Sequence, residues 1–190
     1  MQINYKTGIG FVIKAGEANI ALCLPPDKVD GEDIIITAAE ADEKSLKVNK
    51  SQVVFSWPGE YEAKGVSVMI IPVGKEKKSR VVKVIAEDIS LAHLDGVGEM
   101  LLESEEEKIG NVDILFVSVG KNAALNEKQI KQMIEAIEPR AVVPMNYAAG
   151  EEIDFGKLLG FGELEAKDTW KVKKSDLPSD RMNFEVIRPK

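Results

Sequence analysis

The sequence predicts a layered α/β domain, and two observations carry that prediction. The first half is a succession of short β-branched runs separated by glycine- and proline-containing turns. The second half alternates strand-like and helix-like stretches. Early strands followed by strand–helix alternation place sheets and helices in stacked layers. The 190 residues fit one domain, 1–190, and no linker, tandem repeat or low-complexity tract divides them.

The elements follow in order. Residues 2–5, 10–14 and 18–24 are β-prone runs, and Pro25, Pro26 and Asp27 then break the chain. Residues 34–37 are the next strand, and 38–46 read equally as a loop or a short helix. A strand over 52–57 stops at Pro58. Residues 57–65, W-P-G-E-Y-E-A-K-G, form a corner in which Trp57 and Tyr61 are expected to pack. The near-continuous apolar run 66–73 is a strand, and 75–80, K-E-K-K-S-R, is a charged loop. Residues 80–86 and 89–94 form a hairpin turning at Glu87 and Asp88. Residues 99–109 predict a short acidic helix with a solvated face, and 112–119 a strand. The clearest helix is 126–138: Asn126 is placed to cap it, and Ile130, Met133, Ile134 and Ile137 form one apolar stripe. Pro139 ends it, because the residue before proline is pushed out of the α region. Residues 141–144 are a strand, 153–159 a short helix, and 169–173 and 183–187 terminal strands.

Composition narrows the function classes. The apolar fraction is 44% and the charged fraction 30%, ordinary values for a globular protein. A net charge of −7 disfavours non-specific binding to nucleic acid or an anionic membrane. No apolar run approaches the ~20 residues that cross a bilayer, and residues 1–5 do not read as a signal peptide. The single cysteine, Cys23, excludes an internal disulfide and a cysteine-rich zinc site; its apolar setting reads as a buried strand thiol. A cytoplasmic location fits these features. The sequence names no partner and leaves homo-oligomerisation open.

Candidate site residues begin in 33–43, D-I-I-I-T-A-A-E-A-D-E. A buried strand runs into a polar segment carrying Glu40, Asp42 and Glu43, at the strand end where open α/β sheets place their sites. The only histidine, His93, follows the apolar run I-S-L-A and reads as a hydrogen-bonded core or pocket-wall residue rather than a metal ligand or general base.

The stretch T-A-A-E-A-D-E resembles the metal-binding signature T-H-x-H-x-D-H of the metallo-β-lactamase superfamily. Further segments resemble its small Zn-dependent hydrolase-like members, the group that includes L-ascorbate-6-phosphate lactonase-like proteins. They are P-G-E-Y-E-A-K-G-V at 58–66, A-H-L-D-G-V-G at 92–98, N-V-D-I-L-F-V-S-V-G at 111–120 and I-E-P-R-A-V-V-P-M-N-Y at 137–147. The resemblance implies a four-layer αββα sandwich, with two sheets face to face and helices outside. It also implies where the metal ligands should fall. The signature histidines align with Ala38, Glu40 and Glu43, and its aspartate with Asp42. The aspartate of H-L-G-D aligns with Gly96, with Asp95 displaced by one, and the histidine of P-M-H-Y aligns with Asn146.

Zinc hydrolases bind their metal chiefly through imidazole and use it to lower the pKa of a bound water. One histidine in the whole chain does not supply that set. The expectation is therefore a catalytically degenerate member without zinc, in a binding, assembly or regulatory role. A second reading is a hydrolase rebuilt from the carboxylates Glu40, Asp42 and Glu43, metal-free or, where they converge with Asp95 and Asn146, holding Mg²⁺ or Mn²⁺, which oxygen ligands suit. A third, nucleic-acid processing, rests only on K-E-K-K-S-R with Lys83.

Overall fold

The computed structural model describes residues 1–38, 40–94 and 96–190, without the side chains of 40, 41 and 42. Among the described residues the strands form two sheets. The first contains β1 (Gln2–Thr7), β2 (Gly10–Ala15), β3 (Ala18–Leu22), β4 (Ile34–Ile36), β5 (Val53–Phe55) and, at its far edge, β12 (Trp170–Lys171). Their order is β12-β1-β2-β3-β4-β5. The second contains β6 (Gly59–Ala63), β7 (Val66–Val73), β8 (Ser79–Ala86), β9 (Ile89–His93), β10 (Ile114–Ser118), β11 (Ala141–Met145) and β13 (Asn183–Phe184). Their order is β13-β11-β10-β9-β8-β7-β6.

Alternation along the strands explains the layering. Ile34 and Ile36 enter the core between the sheets, together with Val82, Val84, Ile114 and Phe116 of the second sheet. Ile35 turns the other way, into a small outer cluster with Ala21 and Leu24. Leu115 and Val117 likewise face outward, beneath the helices. Strands buried on both faces lose the polar alternation of half-exposed ones, so β4 and β10 read as continuous apolar runs.

Three helices cover the second sheet: α1 (Glu103–Ile109), α2 (Glu127–Ile137) and α3 (Glu151–Leu158). Ile130, Met133 and Ile134 of α2 and Phe155 of α3 join the outer cluster. Each such side chain contributes about 1.5–3 kcal/mol on burial. Asn126 caps α2, accepting from Gln129 N at 3.0 Å while Gln129 Oε1 accepts from Asn126 N at 3.1 Å. Outside the first sheet, among the described residues, lie two 3₁₀ turns, Pro26–Lys28 and Glu40–Ser45, with Val29 and Leu46 packed on the outer cluster. No helix among the described residues is long and apolar enough to cross a membrane.

Two local expectations are corrected. The acidic helix starts at Glu103, because residue 102 is extended and serves as its N-cap. Its charge run is not wholly solvated either: Glu105 is buried, accepting from Leu102 N at 3.0 Å and Gly74 N at 3.1 Å and pairing with Lys77. At the corner 57–65, Tyr61 stacks on Phe55 with ring centroids 4.5 Å apart, but Trp57 is 58% exposed. The Tyr61 hydroxyl donates to Trp57 O at 2.8 Å and so fixes the corner's backbone while leaving the indole in solvent.

Candidate functional site

Both sheets end in parallel strands: β3, β4 and β5 in the first, and β9, β10, β11 and β13 in the second. The residues that follow β3, β4, β9 and β11 meet at one edge of the sandwich. Cys23 follows β3, Thr37 and Ala38 follow β4, His93 closes β9, and Asn146 follows β11. The turn between β1 and β2 folds over them.

That turn engages two of the sequence-predicted residues directly. His93 Nε2 lies 2.8 Å from Ile9 O; a carbonyl only accepts, so Nε2 carries the proton. His93 Nδ1 lies 3.7 Å from Cys23 Sγ, and the ring is 2% exposed among Phe11 and Phe116. Cys23 leaves β3 with φ 52, so the chain turns sharply at the thiol. Asn146 also has positive φ, 58, a conformation asparagine tolerates better than most residues. Its N–H is shared between Gly8 O at 2.8 Å and the Tyr5 hydroxyl at 2.9 Å, while its side-chain amide donates to Asn122 O at 3.3 Å. The Tyr5 hydroxyl in turn donates to Gly8 O at 2.6 Å. Burial raises the Tyr5 pKa, and the Asn146 N–H opposes that rise only in part. Burial raises the pKa of neighbouring Tyr147 further, with smaller contributions from Tyr5 and Glu152. Both phenols are thus protonated donors at neutral pH.

The residue that sequence reasoning missed here is Arg80. It is the last letter of K-E-K-K-S-R, which read as a solvated loop. Instead its guanidinium crosses from β8 to the first sheet. Nε donates to Ala38 O at 2.8 Å, Nη1 to Ser56 O at 2.6 Å and Nη2 to Thr37 O at 3.2 Å. The adjacent Ser79 Oγ donates to Gly96 O at 2.7 Å. Arg80 and Ser79 thereby tie together the loops that carry Ala38 and Gly96. No local pattern signals this, since the partners stand 17 to 43 positions away. Two further cations of that loop are paired, Lys77 with Glu105 and Lys78 with Glu76, while Lys83 of β8 donates to Ile109 O.

Ala38, His93 and Asn146 therefore lie at the strand ends of this edge, with Gly96 held to it through Ser79. Glu43 is exposed. The side chains of Glu40 and Asp42, and the whole of Asp95, lie outside the described residues, so the carboxylate cluster does too. The donors that are described do not suit zinc. Ala38 and Gly96 offer only carbonyl oxygens, already accepting from Arg80 and Ser79. His93 has one ring nitrogen on Ile9 O and the other against a thiol. No group of three His, Cys, Asp or Glu among the described residues could hold a metal ion.

Comparison with known proteins places this geometry. A family model for the beta-lactamase superfamily domain matches residues 3–146. The chain is similar to a crystal structure from Thermotoga maritima, provisionally classed as a Zn-dependent hydrolase of the metallo-beta-lactamase superfamily. The TM-score is 0.81 at 22% identity, covering 98% of each chain. It is similar to Igni18, a metallo hydrolase from Ignicoccus hospitalis, with TM-score 0.62 at 12% identity over 90% of this chain and 99% of that one. It is also similar to the metallo-beta-lactamase fold protein YhfI from Bacillus subtilis, with TM-score 0.62 at 7% identity over 99% and 96%. At these identities the likeness is one of fold. No curated protein sequence matches.

Proposed function

The chain belongs to the beta-lactamase superfamily, and we propose that it keeps the metallo-β-lactamase scaffold while serving a binding, assembly or regulatory role without zinc hydrolysis. The observation that carries this reading is the fate of the edge. Where the resembled signature has its first histidine stands Ala38, and where the P-M-H-Y motif has its histidine stands Asn146. The Ala38 carbonyl is held by Arg80, and the one imidazole of the chain is committed to Ile9 and Cys23. A zinc hydrolase needs imidazole ligands and an open coordination position for its nucleophilic water. These contacts draw the one imidazole away from such a role, which supports a reading without zinc hydrolysis. The fold alone supplies no activity in their place.

A panel of lactone, phosphodiester and thioester substrates, offered with and without Mg²⁺ or Mn²⁺, tests this. The expected result is no turnover above the uncatalysed rate. Turnover abolished by both Glu40→Gln and Asp42→Asn, with the fold intact, would establish the rebuilt carboxylate hydrolase instead.

A further inference from the structure

Strand β6 closes one end of the second sheet, and its outer edge has no paired strand among the described residues. Its side chains separate by face. Tyr61 and Ala63 pack on the core between the sheets, while Glu60 and Glu62 are exposed on the other face. Neither glutamate has an ion pair among the described residues. The register Glu60↔Met69↔Lys83 and Glu62↔Ser67↔Ile85 continues that outer face across β7 and β8. These side chains border a shallow groove of about 360 Å³. Ile85 is 43% exposed beside the groove, and Trp57 is 58% exposed just before β6. The corner is built to keep this geometry. Gly59 has φ 154, and a Cβ there would stand 3.2 Å from the Tyr61 hydroxyl that holds Trp57 O.

An open strand edge beside exposed apolar side chains is a template for another strand. The glutamates decide which strand. In the two-fold antiparallel registers centred on Glu60, Tyr61 or Glu62, which overlap the most of the strand, a glutamate of one copy would meet a glutamate of the other. Like charges directly opposite destabilise a strand pair. A second copy is therefore disfavoured on this edge. A strand with cations at alternate positions is favoured, because its basic side chains fall beside Glu60 and Glu62 while the intervening ones fall beside Tyr61.

We propose that β6 is the docking edge for an extended segment of a partner protein in which Lys or Arg alternates with apolar residues. The segment extends the second sheet by one strand, and Trp57 covers one end of it. This inference does not depend on whether the strand-end site is catalytic, and it gives the proposed binding role a surface.

The test uses the full chain and three fluorescent heptapeptides, KVKVKVK, EVEVEVE and a KVKVKVK methylated on the backbone nitrogens of its third and fifth residues, read by anisotropy and by amide hydrogen exchange. The expected result is binding of KVKVKVK with protection of the amides of 59–63. Affinity should fall at least tenfold for the N-methylated peptide, because the outward backbone groups of β6 are those of Glu60 and Glu62 and the lysines opposite them lose the N–H that completes the ladder. It should also fall at least tenfold for the Glu60→Lys, Glu62→Lys double variant, whose folding is verified by circular dichroism, and EVEVEVE should not bind. Three results overturn the proposal: no binding of KVKVKVK, equal binding of the N-methylated peptide, or binding unmoved by the charge reversal. A sedimenting dimer of the chain alone with 59–63 protected would also overturn it, in favour of self-pairing.

Discussion

Arg80 is the residue on which the strand-end edge turns. Three of its N–H groups reach carbonyls of Thr37, Ala38 and Ser56, so removing it leaves three acceptors in a half-buried place. At about 1 kcal/mol net for each bond, Arg80→Ala should destabilise the fold by roughly 2–4 kcal/mol. Urea denaturation measures that loss, and hydrogen exchange should rise in 37–46 while 127–137 stays protected. Arg80→Lys should recover less than half, because an ammonium cannot reach three carbonyls with a planar fork. Gly10 is a second sensitive position. A Cβ there would lie 2.6 Å from the Leu24 side chain and 3.1 Å from the Leu24 backbone. Gly10→Ala should therefore cost about 1–3 kcal/mol by overpacking, read as a lowered midpoint with an unchanged denaturant slope.

At the scale of elements, helix α1 and the loop after β7 stand or fall together through Glu105. Burial alone would raise the pKa of this carboxyl. The Lys77 ammonium and the N–H groups of Leu102 and Gly74 outweigh burial and hold it below the usual carboxylate range. A depressed folded-state pKa contributes stability above the unfolded value of ~4.3, and that stability is lost as pH falls through the folded value. Glu105→Gln should therefore cost about 1–3 kcal/mol at pH 7. The gap to the parent protein should narrow as pH drops below ~4.3, followed by thermal melts across the acid range. The helix itself was legible in the sequence, but the burial of one of its glutamates was not. Its partner Lys77 stands 28 positions earlier, and a run of E-S-E-E-E-K looks uniformly solvated until the loop is folded over it.

Across the whole molecule, the two-sheet sandwich was readable because local chemistry and global packing agree. The isoleucines of 34–36, the hairpin turning at Glu87 and Asp88, and the capped stripe of α2 each have a single comfortable place. The strands that lead to Ala38, His93 and Asn146 were readable from their local apolar runs. What joins them was not, because Arg80 to Ala38, His93 to Ile9 and Asn146 to Gly8 are contacts between segments 42 to 138 positions apart. Trp57 was misplaced for a related reason. An aromatic residue beside proline and glycine reads as a packed corner, but here Tyr61 holds the backbone carbonyl of Trp57 while the ring stays outside.

The proposed role without zinc hydrolysis rests on a chain that holds a single histidine on this superfamily scaffold. The most direct measurement is the zinc content of protein purified without chelator, determined by elemental analysis, together with calorimetric titration of Zn²⁺ into the same protein. The account predicts far less than one zinc per chain and no saturable tight binding. One or two zinc ions per chain, retained through dialysis, would contradict it.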